Sequence, residues 1–170
     1  YAKGIAVNNS SINGYISYLS LYPDVAGNDG LYLVHNLHLK TACAMLMPDY
    51  TKALEAANEC ATSFDTSYLS LPQPIGNFIQ YVYAAPLMVQ VQYEKWDEIL
   101  STKDHPEQFA FAHAFSKWSK GMAYAAKGNM NEATKELEAL RKIMKHPDMQ
   151  VLNYPFNKAV DQMTVGEKIL

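Results

Sequence analysis

Gly121-Met122-Ala123-Tyr124-Ala125-Ala126-Lys127-Gly128-Asn129-Met130-Asn131-Glu132-Ala133-Thr134-Lys135-Glu136-Leu137-Glu138-Ala139-Leu140 reads as two helices joined by a tight turn. Phe111, Phe115, Trp118, Met122 and Ala125 recur at alternating four- and three-residue steps, which places them on one apolar stripe of a helix. Ala133, Leu137, Leu140 and Met144 repeat the pattern downstream. Between the stripes, Gly128 can take positive φ as a helix end. Asn129 can cap the next helix, with Glu132 as its capping-box partner. The small residues Gly121 and Ala133 let two backbones approach, and Tyr124 and Leu137 fill the remaining groove. Such a pair buries only one face, so it calls for neighbours.

Gly121, Ala123, Tyr124, Gly128, Ala133, Leu137 and Leu140 fall at the spacings of one tetratricopeptide (TPR) repeat, and the stretch resembles that unit. Stepping back by the repeat period of about 34 residues brings Met130 onto Trp96 and Ala133 onto Ile99, with Glu94 in place of the turn glycine. A third match is Pro48-Asp49-Tyr50-Thr51-Lys52-Ala53-Leu54, in which Asp49 is a candidate N-cap, Tyr50 corresponds to Trp96 and Ala53 to Ile99. The longer spacing from Ala53 to Ile99 predicts an insertion in Ser63 to Gly76, a segment rich in turn residues. Tyr1, Gly4, Ile5 and Asn8 resemble the second helix of a further repeat. Val160, Met163 and Ile169, with Ala159 and Gly166, begin another after Tyr154-Pro155-Phe156.

The expectation is therefore all-α: a right-handed αα-hairpin solenoid of degenerate TPR-like repeats forming one domain over 1–170. It comprises a half repeat at 1–20, hairpins at 31–62, 77–102 and 106–146, and the start of another repeat at 156–170. Because the chain starts without methionine and stops within repeat units, it reads as a fragment of a longer array.

Composition fits a buried helical core: 49% of the 170 residues are hydrophobic and 18% charged. With a net charge of −3 and no Lys/Arg-rich run, a nucleic-acid surface is not expected. No apolar stretch reaches spanning length, so no membrane span is expected and the compartment stays open between cytoplasm and periplasm. Cys43 and Cys60 fall on the two helices of one hairpin at different heights, which disfavours a disulfide and leaves two small apolar thiols.

Leu31-Tyr32-Leu33-Val34-His35-Asn36-Leu37-His38-Leu39, followed by Ala84-Ala85-Pro86-Leu87-Met88-Val89-Gln90-Val91 and Trp96-Asp97-Glu98-Ile99-Leu100, resembles a bacterial family of TPR proteins of unassigned function. Its marks are a His-Asn-x-His helix and a later Trp-Asp-Glu-Ile-Leu turn. Pro48 and Glu94 stand where that family favours turn glycines. The resemblance implies an all-α array and no activity.

His35-Asn36-Leu37-His38 is the constellation closest to chemistry, because residues three apart on a helix share a face. Two imidazoles there could meet a zinc ion or an anionic group. The further histidines His105, His113 and His146, and the carboxylates Asp24, Asp29 and Glu55, lack diagnostic metal spacing. The structural alternative is that His35 and His38 bond to backbone or tyrosine groups and orient the Tyr22 to Tyr32 loop.

Other features have structural readings beside functional ones. Tyr15, Tyr18, Tyr22 and Tyr32, and later Tyr68, Tyr81, Tyr83 and Tyr93, suit either a recognition surface or packing between repeats. Pro86 should restart a helix. Asn28-Asp29-Gly30 is a turn, and only half of a calcium loop. Glu132, Glu136 and Glu138 with Lys135, Arg141, Lys142 and Lys145 read as a solvated face containing a Glu138–Lys142 pair.

The leading expectation is a protein-interaction module that grips a peptide or partner protein in a concave groove through Tyr32, His35, Asn36 and His38. It needs no cofactor. The alternative is a small-molecule or metal-dependent enzyme with a pocket near His35 and His38, although no nucleophile–base pair or phosphate loop supports it.

Overall fold

A computed structural model describes residues 1–22, 30–153 and 157–170. Asp24, the Asn28–Asp29 turn and Tyr154 to Phe156 lie outside the described residues. The chain is predominantly helical and divides into two compact units, Tyr1–Asp65 and Thr66–Leu170.

The first unit contains α1 (Ala2–Leu21), α2 (Gly30–Met45) and α3 (Tyr50–Ala61), with α2 packed on both of the others. The predicted half repeat is thus a full-length helix, α1, whose Ile12 is buried. The α2–α3 hairpin falls where the sequence places it, and Asp49 caps α3 by accepting from the Lys52 N–H at 3.1 Å. A cap of this kind contributes about 1 kcal/mol. Ala53, Ala56, Ala57 and Cys60 on α3 are buried, as are Val34, Leu37 and Ala44 on α2. Small side chains on one helix let its backbone approach the larger ones on the other. Thr41 ties the pair together, its hydroxyl lying 2.9 Å from Leu37 O on its own helix and 3.0 Å from Ala56 O on the neighbour. Both cysteines are free thiols, and burial pushes the Cys60 thiol up to about 12.

The second unit is organised around α7 (Ala110–Ala126). Packed against it are α4 (Ile75–Tyr83), α5 (Ala85–Gln92), α6 (Trp96–Ser101), α8 (Met130–Ile143) and α9 (Ala159–Ile169). The core joins Ala84, Leu87, Phe111, Ala114, Phe115, Leu140, Met149, Ala159 and Met163. Pro86 restarts the chain as predicted, since α4 stops at Tyr83 and Pro86 enters the first turn of α5. The predicted 77–102 hairpin is therefore three short helices. The predicted insertion carries a 3-10 turn, Thr66–Ser70, whose Leu69 is buried. Beyond it Gly76 passes so close to Leu71 that a Cβ would lie 2.3 Å from its carbonyl oxygen, which excludes any side chain there. A 3-10 turn, Pro147–Gln150, and an antiparallel pair of two-residue strands, β1 (Leu152–Asn153) and β2 (Asn157–Lys158), precede α9.

The α7–α8 hairpin follows its sequence reading except at the capping box: the Asn129 N–H goes to Tyr124 O and the Glu132 carboxylate to Lys135, so the expected reciprocal bond does not form. Gly128 sits at φ 76°, with its N–H bonded to Ala125 O at 3.0 Å and the Asn129 N–H to Tyr124 O at 2.9 Å. This pair of bonds is a Schellman helix end. Asn129 accepts from the Glu132 N–H at 3.3 Å, while the Glu132 carboxylate is held by Lys135. Ala133 and Leu140 are buried, Tyr124 and Leu137 half-buried. Gly121 is also buried, and a Cβ there would meet Leu170 at 2.5 Å and Glu136 Cβ at 3.5 Å.

One period upstream the same bonds recur. Glu94 takes φ 56°, its N–H bonds Val91 O at 3.1 Å, and the Lys95 N–H bonds Gln90 O at 2.9 Å. Trp96 and Ile99 follow, half-buried and fully buried, as Tyr50 and Ala53 do in α3. Loss of the glycine thus leaves the turn geometry intact, at the cost of a side chain held in the left-handed region. Glu94→Gly should relieve that strain and stabilise the chain by about 0.5–1 kcal/mol, read as a rise in melting temperature. A fall would mean that the side chain contributes more than its backbone conformation costs.

Candidate functional site

The histidine edge lies on α2. Asn36 Nδ2 donates to Tyr32 O at 2.8 Å, a bond within the helix that spends its amide locally. Tyr32 and His35 are exposed, whereas His38 is half-buried. Burial, and then the neighbouring His35, hold the His38 imidazole below its ordinary value, favouring the neutral ring. His35 and His38 stand three residues apart on α2, near enough for His35 to act on the His38 ring. Tyr18 and Tyr22 add an exposed aromatic step on α1, with ring centroids 5.2 Å apart. Tyr81 and Tyr83 serve the second unit's interior, packing against Phe111 and His105. Glu55 lines a small cavity of about 170 Å³ together with Lys40, Lys52 and Glu59.

A larger concavity lies in the second unit. Glu107, Ala110, His113 and Lys117 on one side and Ala139, Lys142, Ile143, Lys145 and His146 on the other enclose about 670 Å³, open to solvent along one face. This volume is within the range of ligand sites. Every residue lining this groove but Glu107 belongs to α7, to α8 or to the turn that follows α8. Its floor is apolar, formed by Ala110, Ala139 and Ile143.

The charged walls differ in how far they are neutralised. Lys117 is matched by Asp104 and by Glu136 at 3.4 Å, and Asp104 also holds Lys120 at 2.6 Å. Burial alone would raise the Asp104 carboxyl, but the two ammonium groups outweigh it and hold it below the usual carboxylate range. Arg141 is taken by Glu167 at 2.7 Å. Lys142 and Lys145 have no ion pair among the described residues, so the expected Glu138–Lys142 pair does not form there.

Hydrogen bonding fixes the tautomers of the groove's two imidazoles. His113 Nδ1 lies 2.7 Å from His105 O, an atom that can only accept, so Nδ1 carries the proton and Nε2 the lone pair. His146 Nδ1 instead accepts from the Asp148 N–H at 3.2 Å, which leaves the proton of the neutral ring on Nε2. Beneath the groove, Ser116 Oγ stands 2.9 Å from His105 Nδ1 and resembles a nucleophile–base pair. Its hydroxyl oxygen accepts from the His105 N–H at 3.0 Å, Ala112 O engages the same ring nitrogen at 3.1 Å, and Ser116 is only 1% exposed. That arrangement joins the start of α7 to the preceding loop and offers no surface to a substrate. Burial lowers the His105 value as well.

Sequence reasoning missed the groove, although its signal was present. Lys142, Lys145 and His146 cluster at and just beyond the end of α8, and His113 and Lys117 share one face of α7. Among the described residues no group of three or more His, Cys, Asp or Glu side chains is placed to hold a metal ion. No described helix is long and apolar enough to cross a membrane. Comparison with protein-family profiles, curated proteins and solved structures finds no match.

Proposed function

We propose that the chain is a binding module built from TPR-like helical hairpins, a right-handed solenoid of degenerate repeats, and that it holds an extended segment of a partner protein. The observation that carries this reading is the open 670 Å³ groove between α7 and α8, apolar along its floor and polar along its walls. The two Schellman turns in equivalent positions one repeat period apart support the repeat architecture. Ser116 and His105 are committed to the fold, which favours binding over catalysis.

Selection of random peptides on the immobilised chain tests the reading. The expected result is a family of sequences that share a pattern and bind with micromolar affinity or better, and that lose binding to Ala139→Trp, whose indole would fill the groove. Circular dichroism checks that this variant remains folded. Failure to enrich any sequence would overturn the proposal. Peptides that ignore Ala139→Trp but are lost with Tyr32→Ala or His35→Ala would move the site to α2.

A further inference from the structure

We infer that the groove between α7 and α8 selects an acidic partner, an extended peptide in which an apolar side chain is flanked by carboxylates. This rests on the binding-module reading above and adds the chemistry of the bound segment. The chain as a whole carries −3. The groove nevertheless gathers the cations Lys117, Lys142 and Lys145, together with the imidazoles of His113 and His146, against a single lining carboxylate, Glu107.

The unsatisfied part of that charge is what a partner would meet. Lys117 is already balanced by Asp104 and Glu136, and the neighbouring Arg141 by Glu167. Lys142 and Lys145 are exposed and have no carboxylate partner among the described residues. They sit in and just beyond the last turn of α8, where the helix dipole favours cations without neutralising them. Beside them His146, whose Nδ1 accepts from the Asp148 N–H, offers a proton at Nε2, with the Asp148 carboxylate 3.9 Å from the ring. Donors and cations therefore outnumber acceptors on the α8 wall.

The floor adds the second requirement. Ala110, Ala139 and Ile143 give a short apolar strip between the walls. A fully charged ligand would leave it wetted, whereas a peptide with one aliphatic side chain between acidic ones would cover it while its carboxylates reach Lys142 and Lys145. A nucleic-acid strand fits less well, since the lining includes no Phe, Tyr or Trp on which a base could stack.

The test uses the full chain and a fluorescein-labelled, terminally blocked peptide with leucine at its centre and aspartates on both sides, followed by anisotropy. Binding should weaken steeply between low and high salt. The double variant Lys142→Glu/Lys145→Glu should lose about tenfold or more in affinity. Replacing the peptide's aspartates by asparagines should cost as much, and replacing its leucine by glycine should also weaken binding. Equal binding of the asparagine peptide, or an unchanged affinity in the double variant, would overturn the acidic assignment while leaving the groove reading intact. If neither peptide binds, the acidic assignment falls, and the random-peptide selection decides separately whether the groove binds at all. A single-stranded oligonucleotide that competes as well as the peptide would overturn the choice of a protein partner.

Discussion

Gln80→Leu should destabilise the second unit by about 3 kcal/mol or more, because it strands three buried polar groups at once. Gln80 is 3% exposed. Its Oε1 accepts from the Phe111 N–H at 2.9 Å and the Ala112 N–H at 3.4 Å, and its Nε2 donates to Leu69 O at 3.1 Å. The residue that opens α7, Phe109, makes no side-chain cap, so α4 supplies the acceptor that α7 lacks. Leucine keeps the volume but can neither donate nor accept. Each buried N–H or C=O left without a partner costs about 1–3 kcal/mol, which places the sum well above a typical single substitution. The readout is urea unfolding followed by tryptophan fluorescence. Both tryptophans of the chain, Trp96 and Trp118, lie in Thr66–Leu170, so the signal belongs to that unit. A loss below about 1 kcal/mol would mean that these bonds do not form in solution.

That substitution also marks the limit of what the sequence discloses. The α7–α8 hairpin is legible because its determinants are local: apolar residues three and four apart, a glycine free to take φ 76°, and an asparagine one residue later. The restart at Pro86 is legible for the same reason, and so is the Asp49 cap. Gln80 is not, since its partners lie 31 and 32 residues downstream and 11 upstream, and nothing in its neighbourhood distinguishes it from a solvated glutamine. Glu94 shows the converse. Its residue type argues against a left-handed turn, yet the backbone bonds on either side impose one. The groove fails to show for a third reason. Lys142 and Lys145 read as ordinary solvated charges on an amphipathic helix, and nothing local in the sequence brings Ala110, His113 and Lys117, far upstream, to line the same concavity. The histidine edge is visible because it is compact in sequence, but spacing alone says nothing of Asn36 bonding back to Tyr32 or of the burial of His38.

Phe111→Ala should cost about 3–5 kcal/mol, the upper range for a core truncation. Phe111 is fully buried and stands where α7 meets α4 and α5, its ring 6.3 Å from that of Tyr81 and 5.2 Å from that of Phe115. Ala84, Leu87, Met149 and Met163 belong to the same cluster. Collapse into the vacated volume would require α7 to move, but Gln80 pins its first turn on one side and Lys117 is bridged to Asp104 and Glu136 on the other. The cavity should therefore stay largely open, which drives the cost upward. Phe111→Leu keeps most of the buried area and should cost less than half as much, read by the same tryptophan signal. If the two substitutions cost the same, the geometry of the ring contacts with Tyr81 and Phe115 would be the dominant contribution, and buried volume a minor one. The leucine variant then has a second use. It should retain the groove while weakening the support beneath it, so its peptide affinity reports whether recognition depends on the rigidity of α7 or only on the residues that line the walls.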